Sequence, residues 1–424
     1  MEKLLQQIVQ LSGNQKDLDK LRKALNESKD KVLKNFQIID GMIGQLEDSK
    51  HTLGKMFLLS MKGQSRSTNP EQYLVQLERF IPRATQNQVQ IMPEWYSNCL
   101  TRMTQLAFDL KVPQRAVYPL QKGIPLLQTV PELITPSHSH FMLVCLYTRN
   151  YRAALPILEN DVYDIDTKKL SITVKDVLLY YYYGGIIYGV LKRWRDATDF
   201  FEQAITVPGE ALSAIVLESY KKYIFAHILA FGKAPSLPRY TSPVVVRLLK
   251  NLCKPYEEFA KAYDTHDMGQ LDMCLATHNE IFEKDKNIGL AKQCAQSLIR
   301  RGIQRLTKTY IKLPLEQIAK EFNLKSAQQA EFYILDMIEK GEVFAKIDQQ
   351  EGQVSFFDDP EPYNTSEMSE KLISKIKDVT NLTEKLQTLD EFIVTDLDYI
   401  RKTMDDDEEF EVQDSIVKDG VSDK

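Results

Sequence analysis

The chain is poor both in residues that break helices and in residues arranged for chemistry. Its 424 residues include 17 glycines and 17 prolines, fewer than average usage would give, and turn dipeptides are scarce. That argues against an all-β fold and for long helices. The five cysteines, Cys99, Cys145, Cys253, Cys274 and Cys294, are odd in number and widely spread, with no CxxC pair. They read as buried, reduced thiols of a cytosolic or nuclear protein rather than as a disulfide framework. No Gly-rich phosphate loop, GxSxG elbow or HExxH pair occurs, which removes the commonest signatures of phosphoryl, acyl and zinc-hydrolytic chemistry. The uncharged apolar run Val177 to Leu191 is too short to span a bilayer, and its tyrosines suit a protein interior. The amino terminus, MEKLLQQIVQ, carries charge at once and reads as an amphipathic helix rather than a signal peptide. No membrane segment is expected.

What is present is ordinary in amount and uneven in placement. Apolar residues make up 43% and charged residues 27%, as in globular domains, and the length allows two or three of them. Net charge is −5, yet the last twenty residues alone hold nine acids and two lysines. The body is therefore close to neutral, which does not advertise nucleic-acid binding, and the stretch 405–424 reads as a solvated acidic tail.

Helical spacing starts at once with Leu4, Ile8 and Leu11, continues with Leu18, Leu21 and Leu25, then with Val32, Phe36 and Ile39. The polar stretch from Gly63 to Pro70 reads as a loop or boundary. From Tyr180 to Pro208, Gly185, Tyr188, Ala197, Phe201 and Ala204 stand at the offsets of a tetratricopeptide-like helical hairpin. Gly185 permits close approach of the two helices, Ala197 is small at their crossing, and Tyr188 and Phe201 fill the space between. A weaker copy places Tyr151 and Ala154 where Trp194 and Ala197 stand 43 residues later, and a third lies around Ala116. Such hairpins bury their apolar faces only by stacking, so a degenerate solenoid is expected, with Gly232 ending a helix.

After Thr307 the pattern changes. TKTYIKL reads as a short strand, and Leu315, Ile318, Ala319 and Phe322 mark a short helix. Ser326 caps a helix bearing Ala330, Tyr333, Ile334 and Met337, which ends at Gly341. Val343, Ala345 and Ile347 alternate, and after the turn at Gln350–Gly352 Val354 and Phe356 complete a hairpin. Together these make a winged helix. A long helix follows, with Ile376, Val379, Leu382, Leu386, Leu389, Ile393, Leu397 and Ile400 stepping by threes and fours. So narrow a seam on so long a helix is expected to enter a bundle with helices of other chains. The fold class is thus mainly α: N-terminal helices over 1–63, tetratricopeptide-like repeats over 70–235, a helical segment over 236–300, a winged helix over 301–360, a bundle helix over 366–404 and the tail.

YEEFAKAYDTHDMGQLDMCLATHNEIFEKDKNIGLAKQ, followed by IQRLTKTYIKLPLEQIAKEFNL, resembles the PCI domain shared by the proteasome lid, the COP9 signalosome and a translation initiation factor. Within that group YYYYGGIIYGVLKRWRDATDFFEQAITVP, LESYKKYIFAHILAFGK and DQQEGQVSFFDDPEPYN are similar to the subunit 3 family of the signalosome. The likeness is strongest over 176–364. It implies a non-catalytic scaffold, without cofactor or metal, in a hetero-oligomer of nucleus and cytoplasm. That complex removes Nedd8 from cullins of ubiquitin ligases with a zinc isopeptidase held in another subunit. It also implies ring assembly through winged helices, a carboxy-terminal helical bundle, and subunits 1 and 8 as neighbours. A proteasome-lid or initiation-factor subunit, a nucleic-acid-binding winged helix and a metal-dependent hydrolase stay open as alternatives.

The residues weigh against the last two. His138-Ser139-His140 matches the isopeptidase HxH pair, but Thr148 and Tyr151 stand where that motif needs Ser and the coordinating Asp. Cys274 and His278 share a helical face near Asp272 and His266, yet two further ligands at suitable spacing are missing, and His227 reads as a core histidine. The third winged helix carries Glu331, Asp336 and Glu339 against Lys340 alone, which would repel phosphates. The basic run Arg300, Arg301, Arg305, Lys308 and Lys312 reads as a solvated helix face, or else as a contact for an acidic protein surface or the chain's own tail. In the wing, the residues Val343, Ala345, Ile347, Val354 and Phe356 are expected to present an open strand edge to a neighbour.

Overall fold

The computed structural model describes residues 2–13, 17–29, 32, 36–63, 69–160, 162, 165, 170–209, 211–358, 365–396 and 399–401. Leu397 and the acidic tail lie outside them. The chain divides into two compact units, Met1–Glu342 with Ile347–Ser355, and Val343–Lys346 with Phe356–Lys424.

The first unit is a run of helices in which each packs on the next. Helices Pro93–Asp109, Gln114–Leu127, Pro136–Tyr147, Val174–Val190, Trp194–Thr206 and Ala214–Phe231 follow one another this way. One local device recurs at their turns. Lys111, Arg149, Lys192, His266 and Lys286 all adopt left-handed backbone, with φ between 57° and 60°. After four of them the next N–H reaches back five residues to a carbonyl, Val112 to Ala107, Asn150 to Cys145, Arg193 to Tyr188 and Asn287 to Phe282. This closes each helix without glycine, and a basic side chain at that point also faces the negative end of the helix dipole. Five residues on from each turn stands a fully buried small or aliphatic residue, Ala116, Ala154, Ala197, Leu271 and Ala291. The repeat seen at Ala154 and Ala197 is therefore real, and two further copies at Leu271 and Ala291 belong to it.

The hairpin at Tyr180–Pro208 forms from Val174–Val190 and Trp194–Thr206. A Cβ on Gly185 would lie 2.7 Å from the Phe201 ring, and one on the adjacent Gly184 would lie 2.6 Å from Phe200, so both glycines are needed for the approach. The copy at Tyr151 is cut down. Residues Tyr151–Ala153 make a 3-10 turn and Leu155–Leu158 a single helical turn. Pro156 lacks the N–H that would bond to Arg152 and crowds that carbonyl.

Helices Pro243–Leu252, Lys254–Asp264, Met268–Lys284 and Ile288–Thr309 continue the unit. Phe225, Tyr256, Phe259 and Phe282 are all fully buried, and Phe225 lies 5.3–5.8 Å, ring centre to ring centre, from each of the others. Edge-on aromatic packing of this kind adds to the hydrophobic gain and ties the last repeat helix to the helices beyond it. At its rim the Tyr256 hydroxyl donates to Asp285 at 2.8 Å, and Lys221 pairs with the same carboxylate at 2.8 Å. Although burial opposes it, hydrogen bonds from Lys221 and Tyr256 hold the Asp285 carboxyl below the usual carboxylate range.

The winged helix contains strand β1 (Lys312–Pro314), helices Leu315–Glu321 and Ala327–Glu339, and strands β2 (Ala345–Asp348) and β3 (Gln353–Phe356). β1 is shorter than TKTYIKL suggests, because the preceding helix runs on to Thr309, with the Tyr310 N–H bonded to Leu306. The strand order is β1-β3-β2, and β1 pairs antiparallel with β3 in the register Leu313 opposite Val354. Ser326 caps Ala327–Glu339 by accepting from the Gln329 N–H, and Gly341 and Gly352 take positive φ where the chain turns. In the second unit the helix Ser366–Thr395, capped by Thr365, stops short of the expected 404. Asp396 turns extended and ends the helix there, and residues 399–401 are helical again.

Candidate interaction surfaces

Several of the groups that could carry chemistry make contacts within the fold. His138 is 1% exposed. Its Nδ1 meets the Thr135 N–H at 3.0 Å and the Thr135 hydroxyl at 2.8 Å, completing a capping box at the start of Pro136–Tyr147. Burial pushes its pKa down to about 4, so it is held neutral. It stacks edge-on against Tyr180 at 5.5 Å, and its neighbour His140 is likewise depressed by burial. His278 bonds Glu258 through Nε2 at 2.8 Å rather than turning to Cys274, and half-buried His227 bonds the Lys233 carbonyl at 3.0 Å. Burial pushes the Cys99, Cys145 and Cys253 thiols up to about 12, away from nucleophilic thiolate. Among the described residues no group of three or more His, Cys, Asp or Glu side chains could hold a metal ion. Among them also, no helix is long and apolar enough to cross a membrane.

The wing is arranged differently from expectation. Val354, fully buried, and Phe356, 5% exposed, sit in the central strand β3, so they are core residues and do not form an open edge. The hairpin reading failed here because it counted two strands, whereas Leu313 brings a third onto the Val354 side. The edges belong to β1 and β2. On β2, Ala345 and Ile347 are half-buried, preceded by buried Val343. Exposed Phe344 and Phe357 flank it, with the Phe357 N–H donating to the Phe344 carbonyl at 2.8 Å. Beside β1, Ile311 is 79% exposed. Helix Ala327–Glu339 buries Ala330, Ile334 and Met337 and turns Phe332 and Leu335 outward. The sequence reading missed Ile311, Phe332 and Leu335, although the last two stand visibly off the helix's buried stripe. An outward face bearing Phe332 and Leu335 among acids suits protein contact and repels a phosphate backbone.

The long helix Ser366–Thr395 has no buried residue. Ile376, Val379, Leu382, Leu386, Leu389 and Ile393 are each 40–61% exposed, and Ile400 beyond it 36%. Ile373, Phe392 and Val394 widen the apolar surface. Covering six such side chains is worth on the order of 10 kcal/mol, so this helix carries a large unused drive to associate.

The basic run splits in two. Arg300 pairs with Asp336 and with Glu342. Arg301 donates to the carbonyls of Leu229 and Ala230 at 3.0 and 3.1 Å, closing the end of Ala214–Phe231. Those two are structural. Arg305, Lys308 and Lys312 are exposed.

Comparison with known proteins agrees with this geometry. Residues 15–245 match the family model described as COP9 signalosome complex subunit 3, N-terminal helical repeats. Residues 275–358 match that of the PCI domain. A COP9 signalosome complex subunit 3 from Dictyostelium discoideum is 33% identical over 366 residues, 86% of this chain and 87% of that one. Its counterpart from Drosophila melanogaster is 34% identical over 409 residues, 91% of this chain and 92% of the relative.

Proposed function

Because the chain belongs to the family of COP9 signalosome complex subunit 3 and carries its PCI domain, we propose that it is a non-catalytic scaffold of that complex. It holds neighbouring subunits in place while a zinc isopeptidase in another subunit removes Nedd8 from cullins. The observation that carries this reading is the helix Ser366–Thr395, thirty residues long with no buried side chain. A helix so apolar along one seam gains its stability from other helices, and the partners are the carboxy-terminal helices of sister subunits. The β2 edge offers main-chain pairing to an adjacent winged helix, the neighbours being subunits 1 and 8. Both sites act by binding. Nucleus and cytoplasm are the compartments in which such a complex would be found.

Reconstitution tests the reading. The full chain mixed with the remaining subunits should co-elute with them, and the isolated chain should cleave no Nedd8–cullin conjugate. A chain that stayed separate, or that hydrolysed the conjugate alone, would overturn it.

A further inference from the structure

One of the first unit's cavities lies beside the exposed part of the basic run. It has a volume of about 570 Å³ and is lined by Lys233, Tyr263, His266, Arg301, Arg305 and Lys308, with Glu342 as the lone carboxylate. Four parts of the first unit build it: the end of Ala214–Phe231 at Gly232, Lys254–Asp264 with the turn after it, the outer face of Ile288–Thr309, and Glu342 just past Ala327–Glu339. Gly232 suits the turn there, since its φ of +71° is left-handed backbone that other residues rarely adopt. Arg301 is fixed against the Leu229 and Ala230 carbonyls.

The charges in this cavity are unbalanced. Several half-buried cations elsewhere have counterions: Arg115 has Glu78, Lys221 has Asp285 and Arg300 has Asp336. Among the described residues, Lys233, Arg305 and Lys308 are exposed and take part in no ion pair. Glu342 is held by Arg300 at 3.1 Å, and nearby Asp264 accepts the Ala234 N–H at 2.8 Å. Two carboxylates are thus turned to internal partners, leaving three cations, with His266 beside them, directed at a concave surface. In a cleft with protein walls such charges reinforce one another.

We propose that this groove binds an acidic peptide segment of a partner protein, one presenting several carboxylates or phosphoserines in a short stretch. The proposal rests on the scaffold reading above and adds a second kind of contact to it. Nucleic acid fits less well, because Glu331 and Glu339 on the helix Ala327–Glu339 would oppose a continuing phosphate track. Three cations suit a short acidic segment: about four extended residues span ~13 Å.

The test uses the full chain and a fluorescein-labelled octa-glutamate peptide, with an equally charged phosphoserine peptide as the alternative source of oxyanion. Binding followed by anisotropy at low salt should weaken as salt rises. Arg305→Glu with Lys308→Glu should weaken it roughly tenfold or more. A control reversing the exposed Lys122 and Lys175 to Glu should leave it unchanged, as should thermal unfolding of all three proteins. Groove-dependent binding of either peptide supports the proposal. Equal loss in the control, no binding at low salt, or tighter groove-dependent binding of duplex DNA than of both peptides would overturn it. The Arg305→Glu, Lys308→Glu chain should still co-elute with the other subunits. If the unaltered chain co-elutes while neither peptide binds it, the groove fails and the scaffold reading stands; if peptide binds the unaltered chain and assembly is absent, the reverse holds.

Discussion

His138 offers a sharp quantitative test, because burial keeps it neutral inside a helix cap. Its folded pKa is depressed to about 4 from an ordinary 6.5. The unfolded chain therefore takes up the proton more readily than the folded one. Stability is complete above about pH 6.5 and is lost as pH falls towards about 4. Between pH about 7.5 and about 5 the loss from this one group is about 2 kcal/mol, roughly thirtyfold in an opening equilibrium. The substitution that isolates it is His138→Gln. Glutamine at this position, three residues after Thr135, can still accept the Thr135 N–H in a capping box but does not titrate. Hydrogen exchange of Pro136–Tyr147, corrected for intrinsic rates, should lose protection as pH falls in the wild type and lose much less in the variant. His51 and His140 are also depressed by burial, but they are common to both proteins and drop out of the difference. Parallel loss of protection in the two proteins would refute the reasoning.

Three further outcomes follow from packing. Gly302→Ala should gain about 1 kcal/mol of helix propensity yet lower stability overall, because its Cβ would lie 2.5 Å from Phe322 Cζ and overpacking costs about 1–3 kcal/mol. Thermal unfolding should show the loss, and adding Phe322→Leu should recover part of it; a more stable single variant would contradict the contact. Val354→Pro should disturb β1–β3 and destabilise the winged helix of the isolated chain, measured by proteolysis near residue 354. Unchanged resistance there would argue against the strand order. Gly184→Ala should destabilise the Val174–Val190 and Trp194–Thr206 pair by pressing on Phe200, and calorimetry that finds no change would remove its packing role.

The repeat hairpins were legible because a small residue at a crossing leaves a trace, as at Ala154 and Ala197. The copies at Leu271 and Ala291 escaped notice: Leu271 is not small, and Met268 and Ile288 enter their helices where Tyr151 and Trp194 do elsewhere. Alternation revealed the strands but not their order, since β1 is three residues long and its pairing with β3 spans some forty residues of chain. Adjacent Arg300 and Arg301 looked like one solvated face, yet neighbours on a helix point about 100° apart, and these two serve different elements. The seam of the long helix was plain in its spacing of threes and fours. Its end was not, because the backbone turns extended at Asp396 while the apolar spacing runs on past it.

The central claim concerns that seam. Replacing Leu382 and Leu386 by Glu puts two charges on residues each 57% exposed, where the isolated chain loses no packing. Size-exclusion chromatography with the other signalosome subunits, run beside a thermal melt of the chain alone, measures both sides of the claim. The expected result is a chain that melts as before and no longer co-elutes; undiminished co-elution, or a body that unfolds, would contradict it.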